Sequence, residues 1–214
     1  MIPIVSIVGK SGSGKTTYIE KLIPELNRRG YRVATVKHDV HGFEMDKEGK
    51  DTWRHKKAGA YSIAISSPEK FALISDTERD MTLGEIRDKY IRDADIIISE
   101  GYKKDKEPKV EVFRKDVHNE PLSTKEDGLV ALVADKNFDL GVPAFGLDDV
   151  KGLAELIEQK FLKVKPEKDI SLKVNGKDVL LNTFVRSFME ETIRGMVSSL
   201  KGCDNPENIE IIIG

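Results

Sequence analysis

The chain has 214 residues, with 35 basic against 37 acidic side chains and a formal net charge of −2. That balance removes the basic footprint of a general nucleic-acid binder, and the length suits one sizeable domain or one domain with a small appendage. The single cysteine, Cys203, rules out an internal disulfide and fits a reducing compartment. No apolar run is long enough to span a bilayer, and no basic region or small-residue cleavage site marks a secretory signal. The expectation is a soluble cytoplasmic protein with neither a membrane nor a nucleic-acid partner.

Ile2 to Val8 is short, β-branched and apolar on both faces, as a central parallel strand should be. From Thr16, the apolar residues Ile19, Leu22, Ile23 and Leu26 recur at helical spacing up to Gly30, with Pro24 expected to kink or narrow the helix. Arg32 to Lys37 reads as a second strand, and HDVHGFEMDKEGKD as a polar loop. Asp51 is placed as the N-cap of a short helix. YSIAIS and KFALIS are strand candidates, and Thr82 with Glu85 has capping-box spacing for a helix through about Tyr90. ADIIIS and LVALVA read as buried strands, Val142 to Phe145 as a short one, and the alternating KVEVF as a sheet-edge strand. Asp148 or Asp149 caps a helix from Val150 to Phe161.

Strands alternating with helices predict an α/β fold, a mostly parallel sheet with helices on both faces, over residues 1–165. After a charged, proline-containing linker the pattern changes. Asn175-Gly176 joins two alternating runs as a hairpin, a helix spans Thr183 to Leu200, and IEIIIG reads as a last strand. Residues 169–214 are therefore a ββαβ appendage.

The segment GKSGSGKT fits G-x-x-x-x-G-K-[ST] at Gly9, Gly14, Lys15 and Thr16, between a predicted strand and a predicted helix. Glycines let successive amides point inward at phosphate oxygens, and the helix adds its positive end. Lys15 reaches the β and γ phosphates, and the Thr16 hydroxyl holds magnesium. Glu100 ends a buried strand where an acid for that magnesium belongs, acting directly or through water. Asp95, about 16 Å away at the other end of the strand, reads as structural. The second strand delivers Lys37, His38, His41 and Asp46 to the same edge. Two histidines three apart with no nearby cysteine make zinc a weaker reading than phosphate contact by Lys37.

GKSGSGKTT, VKHDVHGFEMDKEGKDTWRHKKAGA, DIIISEGYK and KVEVFRK, in that order over about residues 1–162, together resemble the molybdopterin-guanine dinucleotide biosynthesis protein B (MobB) family. The resemblance implies a dimeric P-loop protein that binds GTP with magnesium, hydrolyses it weakly and assists a MobA-type guanylyltransferase. That enzyme joins GMP to the molybdenum cofactor. Molybdopterin, in molybdenum or tungsten form, is then an implied ligand. Carried over, Gly12, Ser13, Gly14, Lys15, Thr16 and Thr17 hold phosphates together with Gly9, Lys10 and Ser11. Thr16 and Glu100 serve magnesium, and Lys37, His38, Asp46 and Asp51 line the region beyond the γ phosphate. Lys15 and Asp46 are the expected catalytic pair.

Two departures stand out. Guanine-specific GTPases often carry N-K-x-D after a late strand, and here LVADKNFD has Asp135 and Lys136 in reverse order without the asparagine. The tail is not part of the short bacterial pattern; it makes a dimer contact, docks a partner, covers the site or is a structural addition. Lys10 either reaches across a dimer, as in ParA- and MinD-like loops, or is a solvated cation. The competing functions are a P-loop small-molecule kinase or ATP-dependent ligase, and a metal-delivery GTPase. No compact arginine-rich lid and no histidine-rich cluster favours either.

Overall fold

The computed structural model describes residues 1–40, 42–163, 170, 172–179, 181–204, 206 and 209–211. Two compact units divide the chain, Met1–Lys163 and Val164–Gly214.

In the first unit every residue of strand β1 (Ile4–Val8) is buried. A strand with no solvent face belongs inside a sheet covered on both sides. It pairs in parallel with β5 (Ile96–Glu100) on one side and β6 (Lys109–Phe113) on the other. With β2 (Val33–Lys37), β7 (Leu129–Ala134) and β8 (Ala144–Phe145), the order is β2-β5-β1-β6-β7-β8, parallel throughout.

Helices cover both faces. On one, Tyr18, Ile19, Leu22 and Leu26 of α1 (Lys15–Arg28) and Leu153, Ala154 and Ile157 of α4 (Val150–Ile157) pack on Val5, Ile7, Ile96, Ile98, Val110 and Val112. On the other, Leu83 of α3 (Leu83–Tyr90) meets Ile4 and Ile97. Thr82 accepts from the Glu85 amide and Glu85 from the Thr82 amide, completing the expected capping box. Asp149 is the residue that caps α4, accepting from Gly152 N at 3.0 Å. Beyond Ile157 the helix loosens into a π turn, Glu158–Leu162.

Several expectations change. KVEVF is an interior strand: all five residues of β6 are buried, between β1 and β7. Its alternation reflects a charged stripe that the fold buries with partners. Glu111 accepts from the amides of Leu122 (2.7 Å) and Ser123 (2.8 Å), while Lys109 Nζ donates to the carbonyls of Asp105 and Asp127, both at 2.6 Å. The strands β3 (Ser62–Ser66) and β4 (Phe71–Ser75) stay out of the main sheet and form their own antiparallel pair, with Ile65, Phe71 and Leu73 exposed. Asp51 is the first residue of α2 (Asp51–Lys57) and not its cap, since Lys50 holds that position with no side-chain bond. Helix α1 runs on through Pro24, which is exposed.

In the second unit β9 (Leu172–Val174) and β10 (Lys177–Val179) pair antiparallel around Asn175 and Gly176, whose φ values of 52° and 74° suit the primed turn of a tight hairpin. Helix α5 (Thr183–Ser198) starts at Asn182, whose side chain accepts from Val185 N at 2.9 Å. For the expected last strand, 209–211 carry no strand and 212–214 lie outside the described residues.

Candidate functional site

Register decides which side chains meet at the carboxyl end of the sheet. Ile7 of β1 and Lys37 of β2 are both register partners of Glu100, so the loop leaving β1, the Glu100 carboxylate and Lys37 share one edge. His38 N donates to the Glu100 carbonyl at 3.0 Å, which continues the pairing one residue past β2.

The loop from Gly9 to Gly14 turns on positive φ values of 145° at Gly9 and 90° at Gly14. Gly9 has no room for a side chain, because a Cβ would stand 2.4 Å from the Val112 carbonyl oxygen. Gly14 is the N-cap of α1 and supplies no side-chain cap, so the first-turn amides remain available to an outside acceptor. Those amides and the helix dipole make a receptor for a polyanion. The buried Ser13 hydroxyl in the same turn has no hydrogen-bond partner among the described residues.

Lys15 folds back over this turn, with Nζ 3.3 Å from Gly9 O and 2.9 Å from Lys10 O. Partial burial lowers its pKa, Glu100 opposes that shift, and the nearby Lys103 and Lys37 reinforce it. A concentration of positive charge thus stands at the mouth of the loop with one carboxylate in it. The Thr16 hydroxyl spans to that carboxylate, 3.0 Å from each Glu100 oxygen. Two hard oxygen ligands of the kind magnesium prefers are therefore already adjacent.

The remaining expected residues divide. Lys10, Ser11, Gly12 and Thr17 are exposed on the loop and the first turn of α1. His38 is turned to Asp80, Nε2 to Oδ2 3.2 Å, and its ring lies 4.7 Å from that of Tyr102. Asp46 braces its own loop, with Oδ1 accepting from Lys47 N at 2.9 Å and from Thr52 Oγ1 at 3.1 Å. His41 lies outside the described residues. No group of three His, Cys, Asp or Glu residues is placed to hold a metal among those described. Asp95 accepts from Arg32 N at 2.6 Å at the far end of the sheet, the structural role expected of it.

Sequence reasoning gave Arg114 no role and named Asp148 only as a candidate helix cap. Arg114 follows β6 and brings its guanidinium to 3.3 Å from where a Gly14 Cβ would be. With Ser13, Gly14, Thr17, Leu147 and Asp148 it lines a cavity of about 110 Å³ beside the loop. Its position at a strand's carboxyl end was a usable signal, hidden because β6 reads as an edge strand.

Residues 4–135 match the family described as molybdopterin guanine dinucleotide synthesis protein B. A molybdopterin-guanine dinucleotide biosynthesis adapter protein of Haemophilus influenzae is 34% identical over 158 residues, 73% of this chain and 88% of its own length. A relative from Methanocaldococcus jannaschii is 28% identical and aligns over 98% of this chain and 97% of its own. The crystal structure of Bacillus subtilis MobB has 30% identity and a TM-score of 0.58, covering 74% of this chain and 98% of that one. By the family match over residues 4–135 and the identity to its relatives, this chain belongs to the molybdopterin guanine dinucleotide synthesis protein B family, a family of the nucleotide-binding P-loop type.

Proposed function

We propose that this chain is a GTP-binding adapter in molybdenum cofactor biosynthesis, assisting the guanylation of molybdopterin by a MobA-type guanylyltransferase in the cytoplasm, and working as a homodimer. The adapter role follows the relatives' own description. The observation that carries nucleotide binding is the Thr16 hydroxyl standing 3.0 Å from both oxygens of Glu100 at the lip of a loop whose helix amides are uncapped.

In this reading Gly9, Lys10, Ser11, Gly12, Ser13, Gly14 and Thr17 enclose the phosphates. The Lys15 ammonium leaves its two loop carbonyls for the β and γ oxygens, and the unpartnered Ser13 hydroxyl gains an acceptor. Thr16 and Glu100 hold magnesium, which neutralises phosphate charge when bound. Lys37 and Lys103 extend the positive field past the γ phosphate, where the molybdopterin ligand, itself an anion, would approach. His38 and Asp46 line the region beyond the γ phosphate in this reading, with Lys15 and Asp46 as the catalytic pair. Hydrolysis is slow in this reading. Water-orienting residues in fast GTPases are typically glutamines, and the only glutamine here, Gln159, lies beyond α4, bonded to Glu155 at 3.1 Å.

A calorimetric titration with GTP, in magnesium and in EDTA, tests the assignment. Glu100→Gln is expected to abolish most of the magnesium-dependent gain in affinity and to leave the EDTA value within about twofold. Equal losses in both buffers would take the carboxylate out of the metal site.

A further inference from the structure

With N-K-x-D missing in its usual order, the choice of guanine needs another source. Four carboxylates stand in the loops directly after β7 and β8, and three are held by backbone amides. Asp135 Oδ1 accepts from Lys115 N at 2.9 Å, Asp139 Oδ1 from Gly141 N at 3.2 Å, and Asp149 Oδ1 from Gly152 N at 3.0 Å. The fourth, Asp148, has a side chain 92% exposed and an ion pair with Lys21, Oδ1 to Nζ 2.8 Å. It lines the 110 Å³ cavity beside Gly14 and Thr17, and also a groove of about 550 Å³ between α1 and the start of α4. The Lys21–Asp148 pair stands where the two spaces meet.

A P-loop orders its ligand along one line. The amides and the loop lysine take the phosphates, so the sugar and base lie past the first turn of the helix, on the side away from the γ phosphate. That side is the space bounded by Thr17, Arg114, Leu147 and Asp148. We propose that Asp148 is the guanine-selecting residue of this site, its carboxylate accepting from the N1–H and the exocyclic N2 amino group of the base. The proposal rests on the nucleotide reading above and adds to it the residue that reads the base.

The chemistry discriminates by sign. An ionised carboxylate only accepts hydrogen bonds, and guanine offers two donors side by side. Adenine places the bare N1 lone pair against the same anion, so it gains neither hydrogen bond and meets repulsion instead. Lys21 first, with Arg114 behind it, holds the Asp148 carboxyl below its ordinary range, so the group stays anionic at neutral pH. The Arg114 guanidinium is flat and weakly hydrated, suited to stacking on a purine ring. Lys21 keeps Asp148 paired until a base arrives; an exposed ion pair of this kind contributes little and is readily exchanged.

The test is competition by GTP, ITP, XTP and ATP against a fluorescent GTP analogue on the full chain with magnesium. The wild type is expected to favour GTP over ITP, XTP and ATP by tenfold or more. Asp148→Asn should weaken GTP at least tenfold and shift preference toward XTP, because the amide N–H can donate to the xanthine O2. Lys21→Ala should keep the GTP preference. Asp148→Asn binding all four nucleotides in wild-type proportions would overturn the proposal. So would a wild type that binds GTP and ATP alike, or Lys21→Ala losing the preference as fully as Asp148→Asn. A wild type that binds no triphosphate at all would instead remove the nucleotide reading and this proposal together.

Discussion

Gly9 shows how little freedom the loop has at single positions. Its φ of 145° lies in a region that side chains rarely adopt, and a methyl group would meet the Val112 carbonyl oxygen at 2.4 Å, on a strand that is itself buried. Neither the backbone nor β6 has room to yield. Gly9→Ala is therefore expected to destabilise the chain by about 3 kcal/mol and to abolish nucleotide binding, read by urea denaturation and titration of the same variant. A variant with an unshifted midpoint would mean the turn relaxes at no cost. Gly9, Thr16 and Glu100 were legible in the sequence because each obeys a local rule: a fixed spacing in a loop, or the last position of an apolar strand. The places of Arg114 and Asp148 beside the loop were not, since they depend on which strands lie next to β1, and the one local signal, Arg114 at a strand's carboxyl end, was lost when β6 read as an edge strand.

At the scale of the element, β6 carries the clearest lesson. Alternating charged and apolar residues normally mark a strand with one wet face, yet Lys109 and Glu111 are almost fully buried. The segments on either side of the strand supply the compensation, with amides of Leu122 and Ser123 closing on Glu111 and carbonyls of Asp105 and Asp127 on Lys109. Periodicity reports which side chains share a face, and the partners that make a charged face buriable come from elsewhere in the chain. Glu111→Ala leaves two amides without their acceptor and should cost about 3 kcal/mol, with Glu111→Gln milder because one oxygen remains. Denaturant midpoints of the two variants check this, and equal midpoints would show that water replaces the carboxylate. Some caps and turns were easier to read: the Thr82–Glu85 box and the Asn175-Gly176 hairpin turn are sequence-local chemistry, and both formed as their residues dictate.

For the molecule as a whole, three carboxylates tie the surface of the first unit together. Glu25 is held near pKa 2 by Arg28 and Arg29, Glu85 near 2 by Arg79, and Glu158 near 2 by Lys163, Arg29 and Tyr31. All three are depressed in the folded chain. They stay ionised at a pH where the unfolded chain has already taken up protons, so their contribution is present above about pH 4.3 and fades as pH falls toward 2. The urea midpoint is expected to hold from pH 7 to about 5 and then drop steeply between pH 4.5 and 2.5. A flat profile there would show that these pairs contribute nothing. The Haemophilus influenzae relative and the Bacillus subtilis structure align with about three quarters of this chain, and the Methanocaldococcus jannaschii relative with 98% of it.

The place of β1 in the middle of the sheet also shapes how the protein is made. It is synthesised well before its flanking strands β5 and β6, which begin only at residues 96 and 109. At about 5–20 residues per second, a strand without a solvent face waits roughly 5–20 s for both neighbours. Until both have emerged, this stretch is an unpaired apolar target for chaperones and for aggregation, and parallel pairing across such separations makes folding slow as well.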